Sequence, residues 1–330
     1  MSLPAALKRR LRLPLIAAPM FLVSGPALVK AACRAGIIGS FPTANCRTVE
    51  ELDRWLADMS DDLLRAADET GSALPPLCPN LIVHRSNPRV ADDLATVLHY
   101  KAEMVITSVG SPEPVLKPLK DAGCLVLADV ASVRHAEKAA AAGVDGLVLL
   151  TAGAGGQTGW VNPFAFVRAV RKFWDGIVVM AGGMADGQAV AAAQALGCDL
   201  AYMGTKFIAT RESLAKESYK EMLVKSRLDD VLLTRAFTGL ETNMLRPSIA
   251  AAGLDPDNLP MRGAIDIAKD INAAERDRPD AKRWKDIWSA GHSVSGVSDV
   301  PSIAELVERD RRGVRDGKNI NAGRISPKRI

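Results

Sequence analysis

From Leu15 to Met203 short apolar runs alternate with amphipathic segments of helical length, and most runs stop at glycine or a small polar residue. The runs Leu15–Ala18, Ile37–Ser40, Leu77–Val83, Met104–Thr107, Cys124–Ala128, Gly146–Leu150, Ile177–Ala181 and Leu200–Met203 are continuously apolar or nearly so, as expected of strands buried on both faces of a parallel sheet. The segments between them carry helix punctuation. Pro26 stands in a first turn and Gly36 ends Ala27–Ala35, while Thr48 and Glu51 form a capping box ahead of a helix towards Ala67. Pro88–His99, Glu113–Ala122 before Gly123, and Ser132–Ala142 before Gly143 complete the early set.

Eight strand–helix units in this span predict a closed (β/α)8 barrel. An open doubly wound sheet is the structural competitor, but it normally carries its glycine fingerprint after the first strand. Here Ala18-Pro19-Met20 stands in that place, and the glycine-rich turns come late. In a barrel, Gly182-Gly183 and Gly204-Thr205 are the turns after the last two strands, where a phosphate is usually held. Glycine there lets backbone approach a ligand, and the following helix presents free N–H groups to an anion.

Beyond Arg211 the pattern changes. Leu214–Lys225 is amphipathic, Asp229–Gly239 reads as a helix or a short strand, and Leu254–Asp270 is irregular. Trp284–Gly296 is a second glycine- and serine-rich cluster, and Ile303–Arg311 a final helix. The domain expectation is a barrel of residues 1–212 with a closing segment 284–312, a helical insertion 213–283 and a flexible basic tail 313–330.

Composition narrows the function. At 48% hydrophobic and 24% charged residues with a net charge of +4, the chain reads as an ordinary globular protein with neither the basic runs nor the aromatics of a nucleic-acid binder. No signal peptide or membrane span is read, and the expected location is cytoplasmic. The five cysteines (Cys33, Cys46, Cys78, Cys124, Cys198) form no CxxC pair and read as buried thiols. The four histidines (His84, His99, His135, His292) are too scattered for a metal cluster, so no metal is expected. His99 and His135 read as surface residues; His84 and His292 fall at the catalytic end. Tyr202, near the end of the eighth strand, points either into the site or into the core. Lys206 reads as a phosphate partner or a solvated lysine, and Asp186 as an N-cap. Trp160 and Phe164 read as core packing or as walls of an apolar pocket. Nothing in the sequence excludes a homodimer.

Taken together, Ala17–Met20, Asn80, Gly153–Gly159, Ala181–Gly187, Tyr202–Thr205 and Trp288–Gly291 resemble, in order, the nitronate monooxygenase (2-nitropropane dioxygenase-like) flavoproteins, relatives of flavin-dependent enoyl-acyl-carrier-protein reductases. The resemblance implies a TIM barrel holding FMN. It implies that Ala18, Pro19 and Met20 line the flavin ring and that Asn80 reaches its polar edge. Asp129 is placed near the ring or ribityl chain. Gly182, Gly183, Gly204 and Thr205 hold the phosphate, with Gly156 in the glycine-rich turn and Ser289, Ala290 and Gly291 closing the site. The implied partners are a small molecule (a nitronate, or an activated alkene or quinone) together with O2 or NAD(P)H.

One departure stands out. The family turn AGGHxG carries a catalytic histidine, and Gln157 occupies that position here. A carboxamide has no useful pKa and cannot act as a general base, although it can orient a nitro oxygen. The expectation is activity on pre-formed alkyl nitronates and little on neutral nitroalkanes, with Gln157 and His292 as catalytic residues. The alternatives are an NAD(P)H-dependent FMN reductase, a non-catalytic flavin-binding protein, or a Gln157 that merely satisfies loop backbone.

Overall fold

Alternation along each strand explains why the apolar runs are unbroken. In the computed structural model, which describes residues 3–260 and 286–323, eight parallel strands close into a barrel. They are β1 (Leu15–Ala17), β2 (Ile38–Pro42), β3 (Leu77–Ile82), β4 (Met104–Ser108), β5 (Leu125–Val130), β6 (Gly146–Leu150) and, after a short strand β7 (Gly156–Gln157) outside the barrel, β8 (Ile177–Ala181) and β9 (Leu200–Met203). Closure is made by β9 on β1, with Ile16 opposite Tyr202. Outward residues such as Val105, Val126, Leu149 and Val178 pack beneath the helices. Inward residues such as Ile16, Ile106, Leu127, Val148 and Val179 fill the barrel itself. Both faces are therefore apolar, as the sequence pattern predicts.

The N-caps expected at Thr48 and Asp186 form: Thr48 accepts from Glu51 N ahead of the helix Val49–Thr70, and Asp186 Oδ1 accepts from Ala189 N. The Glu51 carboxylate takes Arg47 N, not Thr48 N, so the capping box is only half made, and Ser132 adds a further cap by accepting from His135 N. Strand edges shift by one to two residues; the fifth strand runs on to Val130, so Asp129 lies within it.

Two expectations are corrected. The insertion is not purely helical: residues 213–260 hold the helix Glu217–Lys225, then the strands β10 (Val231–Thr234) and β11 (Thr242–Leu245), then the helix Arg246–Ala251. β11 pairs antiparallel with both β10 and β7, giving a three-stranded sheet over the barrel mouth. The open edge of β7 supplies the backbone partners that make a strand of this segment. Residues 261–283 of the expected insertion, and Trp284, lie outside the described residues.

The tail does not begin at residue 313 either. The C-terminal helix runs Ile303–Gly323, with Val314 buried. It lies so close to the helix Gly187–Leu196 that a Cβ on Gly187 would stand 1.8 Å from Asp310 O, and one on Gly313 would stand 3.2 Å from Gly187 Cα. Small residues on both sides allow that approach, which prolongs the helix. Residues 324–330 lie outside the described residues. No described helix is long and apolar enough to cross a membrane.

Candidate functional site

The same period of two that fills the barrel with Ile106 and Leu127 lifts the next inward residue to its C-terminal rim. Two residues past Cys78, Ile106, Leu127, Val148, Val179 and Leu200 come Asn80, Ser108, Asp129, Leu150, Ala181 and Tyr202. All six line one cavity of about 390 Å³, within the range of small-molecule sites. Ala18, Pro19 and Met20 from the turn after β1 add a wall, as do Gly153–Gln157 after β6, Gly182-Gly183 after β8 and Gly204-Thr205 after β9.

The glycines are fixed by geometry. Gly182 has φ +110°, and an added Cβ would sit 2.5 Å from Thr151 Oγ1. Gly183 has φ +71° with nothing within 4 Å, so its empty side faces the cavity. A left-handed glycine pair beside open space is a cradle for a bulky anion. Thr205 Oγ1 accepts from Gly291 N at 2.9 Å, which leaves its hydroxyl proton for another acceptor.

The insertion and the C-terminal segment close the site. Gln157 is half-buried, its backbone held opposite Thr242 and its neighbour Thr158 N donating to Glu241 O at 3.0 Å. It is therefore a pinned strand residue, not the exposed turn residue that flanking glycines suggest. Asn243, fully buried, donates Nδ2 to Ala154 O at 2.7 Å and steadies the same turn. Trp288 stacks on Tyr219 at 4.8 Å between centroids, and Tyr219 Oη donates to Ser289 O at 2.5 Å. Gly291 is forced: a Cβ there would meet Gly153 O at 2.5 Å and Gly155 N at 2.7 Å. Ser289 and Ala290 line the cavity; Gly291 underpins the wall from behind.

Asp129 and Lys216 are the charged residues of the described lining. Asp129 opens to the cavity on one side, while its Oδ1 is shut off from solvent and has no hydrogen-bond partner among the described residues. Burial without a compensating cation or donor raises its pKa from 3.8 to about 8. Tyr202 and Cys78 are likewise pushed up by burial, with the nearby Asp129 adding to the effect. Val109, a β-branched residue at φ +57°, also lines the cavity, a strained conformation of the kind that collects at functional sites.

The structure does not bring every expected residue here. His292 is exposed and off the cavity wall, its ring against Gly153 while its N–H donates to Gly153 O at 2.8 Å. The expectation that it faces the site is corrected: the 3-10 turn His292–Gly296 directs Ser293, not His292, inward. His84 hydrogen-bonds Ser86 and does not line the cavity; His99 and His135 are exposed. Lys206 Nζ donates to Gly296 O, which leaves it bracing the closing segment. Trp160 and Phe164 are 74% and 64% exposed, neither core nor wall. All five cysteines are buried thiols, and no metal-binding cluster occurs among the described residues. Tyr219, Asn243, Thr242 and Ser108 were missed, because nothing in their local sequence marks them.

Comparison with known proteins agrees with this architecture. The family model for nitronate monooxygenase matches residues 6–309. A nitronate monooxygenase of Paraburkholderia phytofirmans is 30% identical, covering 92% of each chain. The (3aS,4S,5R,7aS)-5-hydroxy-7a-methyl-1-oxo-octahydro-1H-indene-4-carboxyl-CoA dehydrogenase of Rhodococcus jostii is 26% identical over 87% of this chain and 76% of its own. Among solved structures, FabK of Thermotoga maritima superposes with a TM-score of 0.79 at 24% identity, covering 97% of both chains. Nitroalkane oxidase of Streptomyces ansochromogenes gives 0.75 at 24% identity, covering 96% of this chain and all of its own. The two structures share the fold; the family match over nearly the whole chain carries further, and this chain belongs to the nitronate monooxygenase family of flavin-dependent oxidoreductases.

Proposed function

We propose that the chain binds FMN in this cavity and oxidises alkyl nitronates with O2, with Gln157 in place of a catalytic base. The fit to FMN rests on the left-handed Gly182-Gly183 cradle, which suits a phosphate, and on the polar residues Asn80 and Asp129 in the cavity wall. Gly182, Gly183, Gly204 and Thr205 would hold its phosphate. Ala18, Pro19 and Met20 would flank the ring, Asn80 and Asp129 its polar parts, and Ser289 would close the rim. Bound there, FMN supplies the two-electron chemistry and the reaction with O2.

The residues of this chain bind, orient and exclude water. Gln157 offers a donor and an acceptor but takes no proton. Asp129, its pKa raised by burial to about 8, is mostly protonated at pH 7, so little of it is in the form that accepts a proton. No histidine is among the described lining residues, and a nitronate arrives with its carbon-bound proton already gone. The single observation that carries the proposal is this lining without a histidine, with Gln157 in the turn after β6, in a chain of the nitronate monooxygenase family.

The test is anaerobic bleaching of the bound flavin. A nitronate should bleach it, and freshly diluted nitroalkane should be slower by about two orders of magnitude or more, the lower end of a general base's contribution. Equal rates would overturn the base-free reading. Bleaching by NADH or NADPH alone would favour the reductase of an activated C=C bond or quinone. Bound FMN that no donor reduces would favour a non-catalytic flavin-binding protein.

A further inference from the structure

Asp129 is a carboxyl group at the C-terminal rim of the barrel interior, without an ion-pair partner among the described residues. Asp129 stands one step above Leu127 on the inward face of β5, opposite Val148 in register, with Ser108 and Leu150 at the ends of the adjoining strands. The titratable groups that bear on it are Tyr202 from β9 and Cys78 from β3, both kept neutral by burial. Lys216 is the only cation of the described lining; it comes from the insertion side and is ion-paired to Asp286 at 3.0 Å. Neither neighbouring strand end brings a positive charge, and Oδ1 has no donor within reach. A carboxylate so placed would repel an anionic ligand, while a carboxylic acid there has a proton to donate and no protein acceptor for it.

We propose that Asp129 acts as a neutral acid that donates its hydrogen bond to the anionic head of the substrate, so that nitronate recognition requires the carboxyl to remain protonated. The inference rests on the nitronate reading and deepens it by naming the group that recognises the charge. Gln157 and Asp129 then divide the task, because the turn after β6 lies directly over the end of β5: a Cβ on Gly159 would meet Ala131 O at 2.8 Å. Gln157 orients from the rim, and Asp129 donates from the wall.

The experiment uses the FMN-loaded protein. KM and kcat for propyl-2-nitronate are measured from about pH 6.5 to about pH 9.5, beside the dissociation constant of 2-methylpropanoate, a non-oxidisable carboxylate with the same heavy-atom connectivity and charge. That constant is read from the flavin difference spectrum, and a carboxylate stays ionised throughout this range. In the wild-type protein both KM and the dissociation constant should rise above about pH 8, approaching roughly tenfold per pH unit, with kcat changing less. Asp129→Asn, which keeps a donor and cannot ionise, should bind both anions with little pH dependence. Asp129→Ala, reloaded with FMN, should bind them weakly at every pH.

A flat wild-type profile, or an Asp129→Asn profile that still follows the wild type, would overturn the proposal. So would loss of FMN from Asp129→Asn alongside an unchanged profile for the anions, which would make Asp129 a cofactor ligand only. If 2-methylpropanoate shows the expected dependence but the nitronate is not oxidised, the substrate reading fails and the role of Asp129 stands. The wild-type profile decides the matter should the variants not fold.

Discussion

The lower barrel interior and its C-terminal rim are built from the same strands, two residues apart, yet follow opposite rules. Below, Ile16, Ile106, Leu127, Val148 and Val179 are fully buried against one another. Above, the same inward positions carry Asn80, Ser108, Asp129 and Tyr202, flanked by left-handed glycines and by Val109 at positive φ. Folding free energy comes from the first layer through burial of apolar surface. The second layer holds polarity and strain: Ser108 donates to Asn80 and Asn80 to Ile106 O, while Asp129 Oδ1 has no partner among the described residues. The lesson is that one alternation, read two residues further along, passes from stability to chemistry.

The largest effect that would sharpen this contrast is expected from Leu127→Ala. Truncating a fully buried interior leucine should cost about 2–5 kcal/mol in denaturant unfolding. If the cavity above is separately built, flavin affinity per folded molecule should change little. Gly182→Ala is the mirror case. At φ +110° with Thr151 Oγ1 2.5 Å from the new methyl, it should weaken FMN binding by roughly 5- to 150-fold, the equivalent of about 1–3 kcal/mol of overpacking, in a fluorescence titration. Undiminished affinity would remove Gly182-Gly183 from the phosphate site.

A smaller effect lies in the pH dependence of the flavin-free protein. Asp129 and Asp310 have pKa values raised by burial to about 8 and about 7, against a reference of 3.8. Groups that hold their protons more tightly when folded stabilise the fold at low pH. The unfolded chain releases those protons above about pH 4, so stability should fall from there towards pH 8 and then level. Asp129→Asn should flatten part of that slope and raise Tm near pH 8 by about 2–4 °C or more. A Tm that rises over this range would contradict the burial assigned to both carboxyls. The smallest effect is expected outside both layers. Trp160→Ser, at a side chain 74% exposed, should change stability by no more than about 0.5 kcal/mol and leave flavin binding intact.

Much of the rim was legible in advance. Ala18, Pro19, Met20, Asn80, Asp129, Gly156, Gln157, Gly182, Gly183, Gly204, Thr205 and Ser289 all line the cavity. They could be found because they lie at the ends of strongly apolar strands or in glycine turns with a known place in such a barrel. His292 was misread, since one residue of rotation in a short turn decides whether a side chain faces inward, and a glycine-serine cluster carries no period to fix that rotation. Tyr219 and Asn243 were invisible because they act on Ser289 and Ala154, seventy and eighty-nine positions away.

The sequence by itself determined the units: eight buried strands, their helices and caps, the glycine turns at their ends and the carboxamide where a histidine is usual. Those are local matters, set by periodicity and by the few residues that tolerate a given backbone angle. Only the tertiary structure decided that β7 would borrow a hairpin from the insertion, that the C-terminal helix would lie against Gly187, and that Asp129 would face the cavity with no cation beside it. Each depends on which distant segments meet once β9 closes on β1, and a register set across the whole barrel is written in no single stretch of chain.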